Sequence, residues 1–439
     1  MERAATPTAV PYQKGTKLDL LVRETYVGDI SPSEPVTVTI HKLLSITTSA
    51  VLDVTMPNPH GSPTHFVLKL YDRQFGTFLR SNVRGQVVPH TQEIEAAFRT
   101  FVMKGTMLAF LEWLEDTNKT RDMPMKPRHF LDAADNGPVK FEAALWAECH
   151  ENFERETQAY TRLRDLQGKS IPRMLAHVCL AATDNEPVDA LKEMSPELVP
   201  YLEVNGILLE RIDGYELEDI TASPLAPPTH EWQQIVQSAV NLAHDINRRG
   251  IVMQDCDPRN VVVHRVSQTP HFVDLAECRF RDEMEKYWHE WEWDDDEDWD
   301  PEIEYWKFVD DYDNPKDIGA PMVTRAKRER GVDLQVEYPT CKALISHIRH
   351  TKAEVARKCI QTFRWSKASA WTPNAQAQEI VIKTDAPRGR GDGQRAVEGT
   401  IVNWSAEKPT RREVLEFYKN AQLPVPDRED FQPREYAMG

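Results

Sequence analysis

No two of the six cysteines stand at C-x-x-C spacing: Cys149, Cys179, Cys256, Cys278, Cys341 and Cys359 are scattered along the chain. That excludes the common zinc and dithiol motifs. Scattered thiols in a chain of this size point to a reducing compartment, so a cytoplasmic or nuclear location is expected. Long apolar runs are also missing. No stretch reaches transmembrane length, and Met1 to Lys17 lacks the apolar core of a signal peptide, so no membrane association is expected. Positive charge is in deficit: 53 Lys and Arg against 70 Asp and Glu leave a net charge of −17. That balance argues against nucleic acid or an anionic membrane as a partner. Glycine is thin, at 18 of 439 residues. The cluster Gly389, Gly391 and Gly393 has no strand before it and no helix after it, so it reads as a flexible linker. Serine and threonine are absent between Asp274 and Thr324, where Tyr287, Tyr305 and Tyr312 are the only hydroxyls.

What is present concentrates between Ile251 and Cys278. Val261-Val262-Val263 and Phe272-Val273 read as neighbouring short strands. Asp255 and Asn260 stand five apart in the loop before the first, and Asp274 closes the second. Phosphoryl transfer needs such a set: one carboxylate to orient the attacking hydroxyl, an amide and a second carboxylate to hold a metal on the phosphates.

Upstream, Val36 to Ile40, Ala50 to Val54 and His65 to Tyr71 have strand patterns, with Lys69 between apolar neighbours in the third. Burying an ammonium is costly without an anionic partner. Val139 to Leu166 carries helical periodicity with Glu156, Tyr160 and Leu163 on one face. Ala176 to Leu180 and Gly206 to Leu209 read as two more strands. Thr229 caps a helix running to Arg249, with Gly250 as its stop. Further helices are expected over Ile94 to Met103, Met107 to Leu114, Lys342 to Phe363 and Arg411 to Ala421. Arg281 to Asp313 is dense in Asp, Glu and Trp, and reads as helices whose Trp residues anchor while carboxylates face water.

Taken together, these segments resemble the protein-kinase-like superfamily, and most closely the divergent kinase-like proteins common in fungi. The family's H-R-D-x-x-x-x-N and D-F-G are matched by Met253-Gln254-Asp255 to Asn260 and by Asp274-Leu275-Ala276. Its V-A-I-K strand is matched by Val67-Leu68-Lys69-Leu70, and its helix glutamate by Glu156. Glu154 is a less well-spaced competitor. The resemblance implies that Lys69 contacts the α- and β-phosphates, that Glu156 orients it, and that Asp255 serves catalysis. Asn260 and Asp274 would hold Mg²⁺, and adenine would bond the backbone of a hinge at Glu210 and Ile212. Three departures stand out. The motif His and Arg are Met253 and Gln254. Asp257 stands where serine/threonine kinases usually place a Lys. Leu44 to Ala50 replaces the glycine-rich loop, so weaker nucleotide affinity is expected.

The implied fold is α+β and two-lobed: a small antiparallel-sheet N-lobe with its helix, then a mainly helical C-lobe. The expected boundaries are an N-terminal extension over 1–35 and an N-lobe over 36–215, with a helical insertion at about 73–138. A C-lobe over 216–330 and a C-terminal extension over 331–439 complete the chain. The expected ligands are ATP and Mg²⁺, with a protein or small-molecule phosphoacceptor. An atypical protein kinase, a small-molecule phosphotransferase of the aminoglycoside or choline kinase type, and a pseudokinase binding module all stay open.

Overall fold

The computed structural model describes residues 8, 10–26, 35–57, 63–82, 84–119, 121, 124–131, 133, 136–180, 195–290 and 300–362. The linker over 386–395, the expected helix over 411–421, and Trp291, Trp293 and Trp299 lie outside them. The chain divides into two compact units. One joins Met1–Tyr287 to Asp311–Pro339, and the other joins Trp288–Asp310 to Thr340–Gly439.

The first unit is α+β. Six strands, β1 (Lys17–Thr25), β2 (Pro35–Ile46), β3 (Ala50–Met56), β4 (Thr64–Leu70), β5 (Met174–Leu180) and β6 (Val204–Glu210), form an antiparallel barrel in the order β1-β2-β3-β4-β6-β5. The antiparallel sheet expected here is present, and it closes into a barrel. Closure comes from β1, inside the expected N-terminal extension, which pairs β2 on one side and β5 on the other. Leu18, Leu20 and Val22 alternate inward along it, and closing the sheet removes its two exposed edges. The barrel core is apolar, with Leu20, Ile40, Leu52 and Leu68 almost fully buried.

The expected insertion contributes α1 (Gln92–Met103) and α2 (Thr106–Lys119), which pack on the first half of α3 (Gly137–Arg162). Thr91, at the N-cap of α1, accepts from the Ile94 backbone N–H and so satisfies one of the helix's orphan donors. The rest of the unit is built on α4 (Trp232–Arg248). Its Ile235, Val236, Ala239, Val240, Ala243 and Ile246 form one buried stripe, the spacing that an amphipathic helix requires. Thr229 is not its cap, because a 3-10 turn over Thr229–Glu231 precedes it and Glu231 stands at the N-cap. Short strands β7 (Gly214–Glu216), β8 (Ile251–Met253), β9 (Val261–His264), β10 (Pro270–Phe272) and β11 (Cys278–Phe280) follow the barrel, with α5 (Arg281–Glu290) after them.

Gly214 is required where β7 meets β9: a Cβ there would lie 2.0 Å from the Val263 carbonyl oxygen. Helix α7 (Asn314–Arg330) packs on α4. In the second unit, the described residues form most of α6 (Pro301–Tyr312) and α8 (Cys341–Thr362). Asp300 accepts from the Glu302 and Ile303 backbone N–H groups at the start of α6, and the Tyr305 and Trp306 rings meet edge to face.

Candidate active site

Two ladders bring the chemistry-bearing loops together. Strand β8 pairs β11 with Met253 opposite Cys278, and β9 pairs β10 with Val261 opposite Phe272. Residues 254–260 and 273–277 therefore leave the ladders side by side. The Val273 N–H donates to the Asn260 carbonyl at 3.0 Å, and the Gln254 N–H to the Glu277 carbonyl at 2.7 Å. These short strands have little ladder of their own, and buried side chains support them: Ile251, Val252, Met253, Val261, Val263 and Phe272 are all in the core.

Asn314, fully buried at the start of α7, fixes β8 from behind. Its Nδ2 donates to the Met253 carbonyl at 2.7 Å, and its Oδ1 accepts from the Met253 N–H at 3.1 Å and from Asn247 Nδ2 at 2.9 Å. An amide buried this deeply is tolerable because donor and acceptor are both used.

Strand β4 and helix α3 deliver Lys69 and Glu156 to the same place. Lys69, 2% exposed, lies 2.6 Å from Glu156 Oε2 and 2.7 Å from Asp274 Oδ1. Burial alone would pull the ammonium's pKa down, but the carboxylates of Asp274 and Glu156 outweigh it and the net direction is up. Lys69 is thus charged and has two anionic partners. Glu156 has no exposed surface and is used from three sides: by Lys69, by the Tyr71 hydroxyl, and by the Leu275 N–H at 3.3 Å. Asp274 Oδ1 also accepts from the Ala276 N–H at 3.2 Å.

Asp255 is more open, with 42% of its side chain exposed. Its Oδ1 accepts from Arg259 Nη2 at 2.5 Å and its Oδ2 from Asn260 Nδ2 at 3.1 Å. Asn260 Nδ2 also donates to the Asp255 carbonyl at 2.9 Å. Pro258 opens a 3-10 turn over Pro258–Asn260, and the Asp257 side chain caps it. That turn keeps Asn260 folded back on Asp255.

Glu210 closes β6, and Ile212 lies in the connection to β7. The connection is fixed on both flanks. Glu210 pairs with Arg173 at 2.9 Å, Arg211 with Asp53 at 3.3 Å, and the Arg265 N–H donates to the Asp213 carbonyl at 2.9 Å. The turn between β2 and β3 stands where a glycine-rich loop was missed, and it is tied down from outside. The Ile46 and Thr47 carbonyls accept from the Thr77 and Phe78 N–H groups at 3.1 and 3.0 Å.

The structure thus brings Lys69, Glu156 and Asp274 into direct contact and places Asp255 beside Asn260. Three participants were missed in the sequence: Tyr71, Arg259 and Asn314. Tyr71 stands two residues beyond Lys69, the strand period that returns a side chain to the same face, so a signal existed for it. Arg259 was visible only as a loop residue. Asn314 gives no local signal, because its partners, the Met253 backbone and the Asn247 side chain, lie 61 and 67 residues away.

No family model matches the chain, and no curated protein sequence matches it. Among solved structures it is similar to the kinase domain of Mycobacterium tuberculosis PknI, at 15% identity and a TM-score of 0.25, over 55% of this chain and 60% of that one. A doubly substituted form of that domain matches at 13% identity and a TM-score of 0.28, over 67% of this chain and 81% of that one. The first match spans under two thirds of the other chain. Likeness at this level assigns no function.

Proposed function

We propose that this chain is an ATP- and Mg²⁺-dependent phosphotransferase with a two-lobed protein-kinase-like fold, acting on a protein hydroxyl as an atypical kinase. The observation that carries the reading is the buried Lys69 ammonium between Glu156 and Asp274. Kinase chemistry requires a strand lysine paired to a helix glutamate, with a metal-binding aspartate beside them. One cation against two carboxylates leaves a net charge of −1, which invites a further cation.

The donor set fits that ion. Lys69 and the Ala276 N–H both engage Asp274 Oδ1, and Asn260 uses its Nδ2 on Asp255. Hard oxygens of Asp274 and Asn260 therefore stay available to Mg²⁺. Among the described residues no group of three or more His, Cys, Asp or Glu can hold a metal alone, which suits an ion that arrives with nucleotide phosphates. Bound there, Mg²⁺ would supply charge neutralisation on those phosphates. Lys69 would hold the α- and β-phosphates, Asp255 would orient the acceptor hydroxyl, and the backbone at Glu210 and Ile212 would take adenine. A small-molecule acceptor is the second reading; Asp257, in the position where serine/threonine kinases usually carry a lysine, argues against an ordinary serine/threonine kinase. A nucleotide-binding pseudokinase module is the third, favoured by the missing glycine loop.

The test is a thermal melt with ATP, with and without Mg²⁺. ATP with Mg²⁺ should raise the melting temperature of the unaltered chain, and Asp274→Asn should abolish the shift. Equal stabilisation without metal would place the protein with metal-independent pseudokinases. Labelled ATP with basic proteins, peptides and aminoalcohols would then separate the acceptor classes.

A further inference from the structure

Where the chain leaves β4 there is a cavity of about 260 Å³ that the Lys69 cluster does not use. None of Lys69, Glu156, Asp255 and Asp274 lines it. Its walls come from the N-terminal segment at Thr8 to Tyr12, the residues just after β4, helix α1, the middle of α3, and the start of β6. The N-terminal segment and α1 lie outside the segments that resemble a kinase. Tyr71 belongs to the wall, while its hydroxyl donates to Glu156. Aromatic rings stand in two places. Phe75 meets Tyr12 edge to face at 5.7 Å, and Trp146 meets Tyr201 edge to face at 4.8 Å.

The carboxylates of the wall are already matched. Asp72 accepts from the Tyr12 hydroxyl and from the Gln74 N–H, Glu95 pairs with Arg73, His90 and Arg99, and Glu203 accepts two bonds from Arg23. Burial raises the Asp72 carboxyl above its ordinary 3.8 despite its two donors, which lessens its repulsion of an anion. The donors of the wall are less fully used. Arg99 spends only its Nε, on Glu95 at 3.0 Å, so Nη1 and Nη2 have no partner among the described residues. The Asn205 amide and the Trp146 indole N–H have no hydrogen-bond partner there either. His150, stacked on Trp146 at 4.8 Å, keeps a buried Nδ1 without a partner. A cation would find no unpaired carboxylate here. An acceptor-rich head would meet open donors, and a guanidinium offers a carboxylate two parallel N–H bonds. The volume lies just under the roughly 300–1,000 Å³ of ligand pockets, which suits one ring with a small polar head and not a nucleotide.

We propose that this cavity is a second ligand site, for a small aromatic carboxylate. Arg99 takes the carboxylate through Nη1 and Nη2, Asn205 adds a donor, and Trp146 and Tyr201 hold the ring. Binding here is non-covalent and needs neither ATP nor metal, so the proposal goes beyond the phosphotransferase reading and does not rest on it.

The experiment follows the indole N–H resonance of Trp146 in the nitrogen-15-labelled full chain, without ATP. The resonance is identified by its loss in Trp146→Phe. The probes are benzoate and phenylacetate. The controls are phenylacetamide, which keeps the ring and removes the charge, and benzylamine, which reverses it. Both acids should move the resonance saturably. Phenylacetamide should bind at least about tenfold more weakly than phenylacetate, and benzylamine should not bind. Arg99→Gln should weaken the acids by about tenfold to a hundredfold, the change expected on losing a hydrogen bond to a charged group. Asn205→Leu puts an apolar branch in the cavity and breaks no ion pair. It should abolish binding, and it gives the same reading where Arg99→Gln does not fold. A Trp146 resonance unmoved by either acid at about 10 mM, well above a millimolar Kd, overturns the proposal. Equal binding of the amide or the amine also overturns it, as does undiminished binding in Arg99→Gln or Asn205→Leu.

Discussion

Glu156 shows how much one residue can depend on its neighbours. It is fully buried, and only its three donors make that tolerable: Lys69, the Tyr71 hydroxyl and the Leu275 N–H. Tyr71 is itself buried, and its phenol pKa is pushed well up by burial and then by Glu156, so it stays a proton donor. Tyr71→Phe removes one donor and leaves the other two. A hydrogen bond to a charged group contributes about 1.5–3 kcal/mol, and urea unfolding of Tyr71→Phe should show a loss in that range. An unchanged unfolding free energy would show that the phenol contributes nothing net to Glu156. Asp255 is the opposite case, exposed and supported rather than enclosed. Asp255→Asn should therefore lose turnover and keep nucleotide binding, read by separate kcat and ATP-affinity measurements.

At the scale of elements, α3 links the site to the inserted helices. Its second half carries Glu156, and its first half packs on α1 and α2. Near its start, Glu142 receives Arg73 Nη1 at 2.6 Å and Arg80 Nη2 at 2.7 Å, and Arg73 also pairs with Glu95. Burial alone would raise both carboxyls, but the guanidinium of Arg73 and its neighbours outweigh it and hold Glu95 and Glu142 below the ordinary value of 4.5. For carboxyls with depressed folded pKa, the stabilisation is fully present above about 4.5 and is lost as pH falls through the lower folded values. Chemical denaturation between about pH 3 and pH 7 should show an acid-side loss. Glu142→Gln should cost about 3–5 kcal/mol at neutral pH, because it leaves buried guanidinium groups short of an anion. It should also flatten the acid slope, and a slope equal to that of the unaltered chain would remove Glu142 as its source.

These elements differ in how far the sequence reveals them. Lys69 and Glu156 could be read because an apolar alternation and a helical repeat place them, and β9 and β10 because their apolar runs flank Asp255 and Asp274. Strand β1 is hard to read although Leu18, Leu20 and Val22 alternate, because Asp19 and the flanking Lys17, Arg23 and Glu24 resemble a solvated extension. The tie between the β2–β3 turn and Thr77 and Phe78 is made mainly by backbone groups, with the Thr77 hydroxyl as its one side-chain donor, and backbone groups leave no residue signature. The same holds for Asn314, whose target is the backbone of Met253.

For the molecule as a whole, the question is what keeps the segment after Asp274 in place. Many kinases use a phosphate that pairs with the arginine of the catalytic loop. Here that residue is Gln254, with no charge to offer. Its side chain instead joins two contacts that need no phosphate, accepting from Arg279 Nε at 3.1 Å and donating to the Tyr312 hydroxyl at 2.9 Å. Beyond Asp274, β11 is already paired with β8, and Arg155 Nη1 donates to the Cys278 carbonyl at 3.0 Å. Arg162 grips Asp282 with two bonds of 2.7 and 2.9 Å and lies 4.3 Å from the Phe280 ring centroid. Both arginines belong to α3, so the segment and the helix bearing Glu156 support each other without a modification. A phosphate on Tyr312 would remove its bond to Gln254 and add charge beside Asp311 and Asp313, where repulsion disfavours it. Any activity should therefore be independent of phosphorylation in this segment. Phosphatase-treated and untreated protein should turn over at the same rate. A large loss on treatment that maps to Tyr287, Tyr305 or Tyr312 would show that the arginine pairs and the β8–β11 ladder are not sufficient.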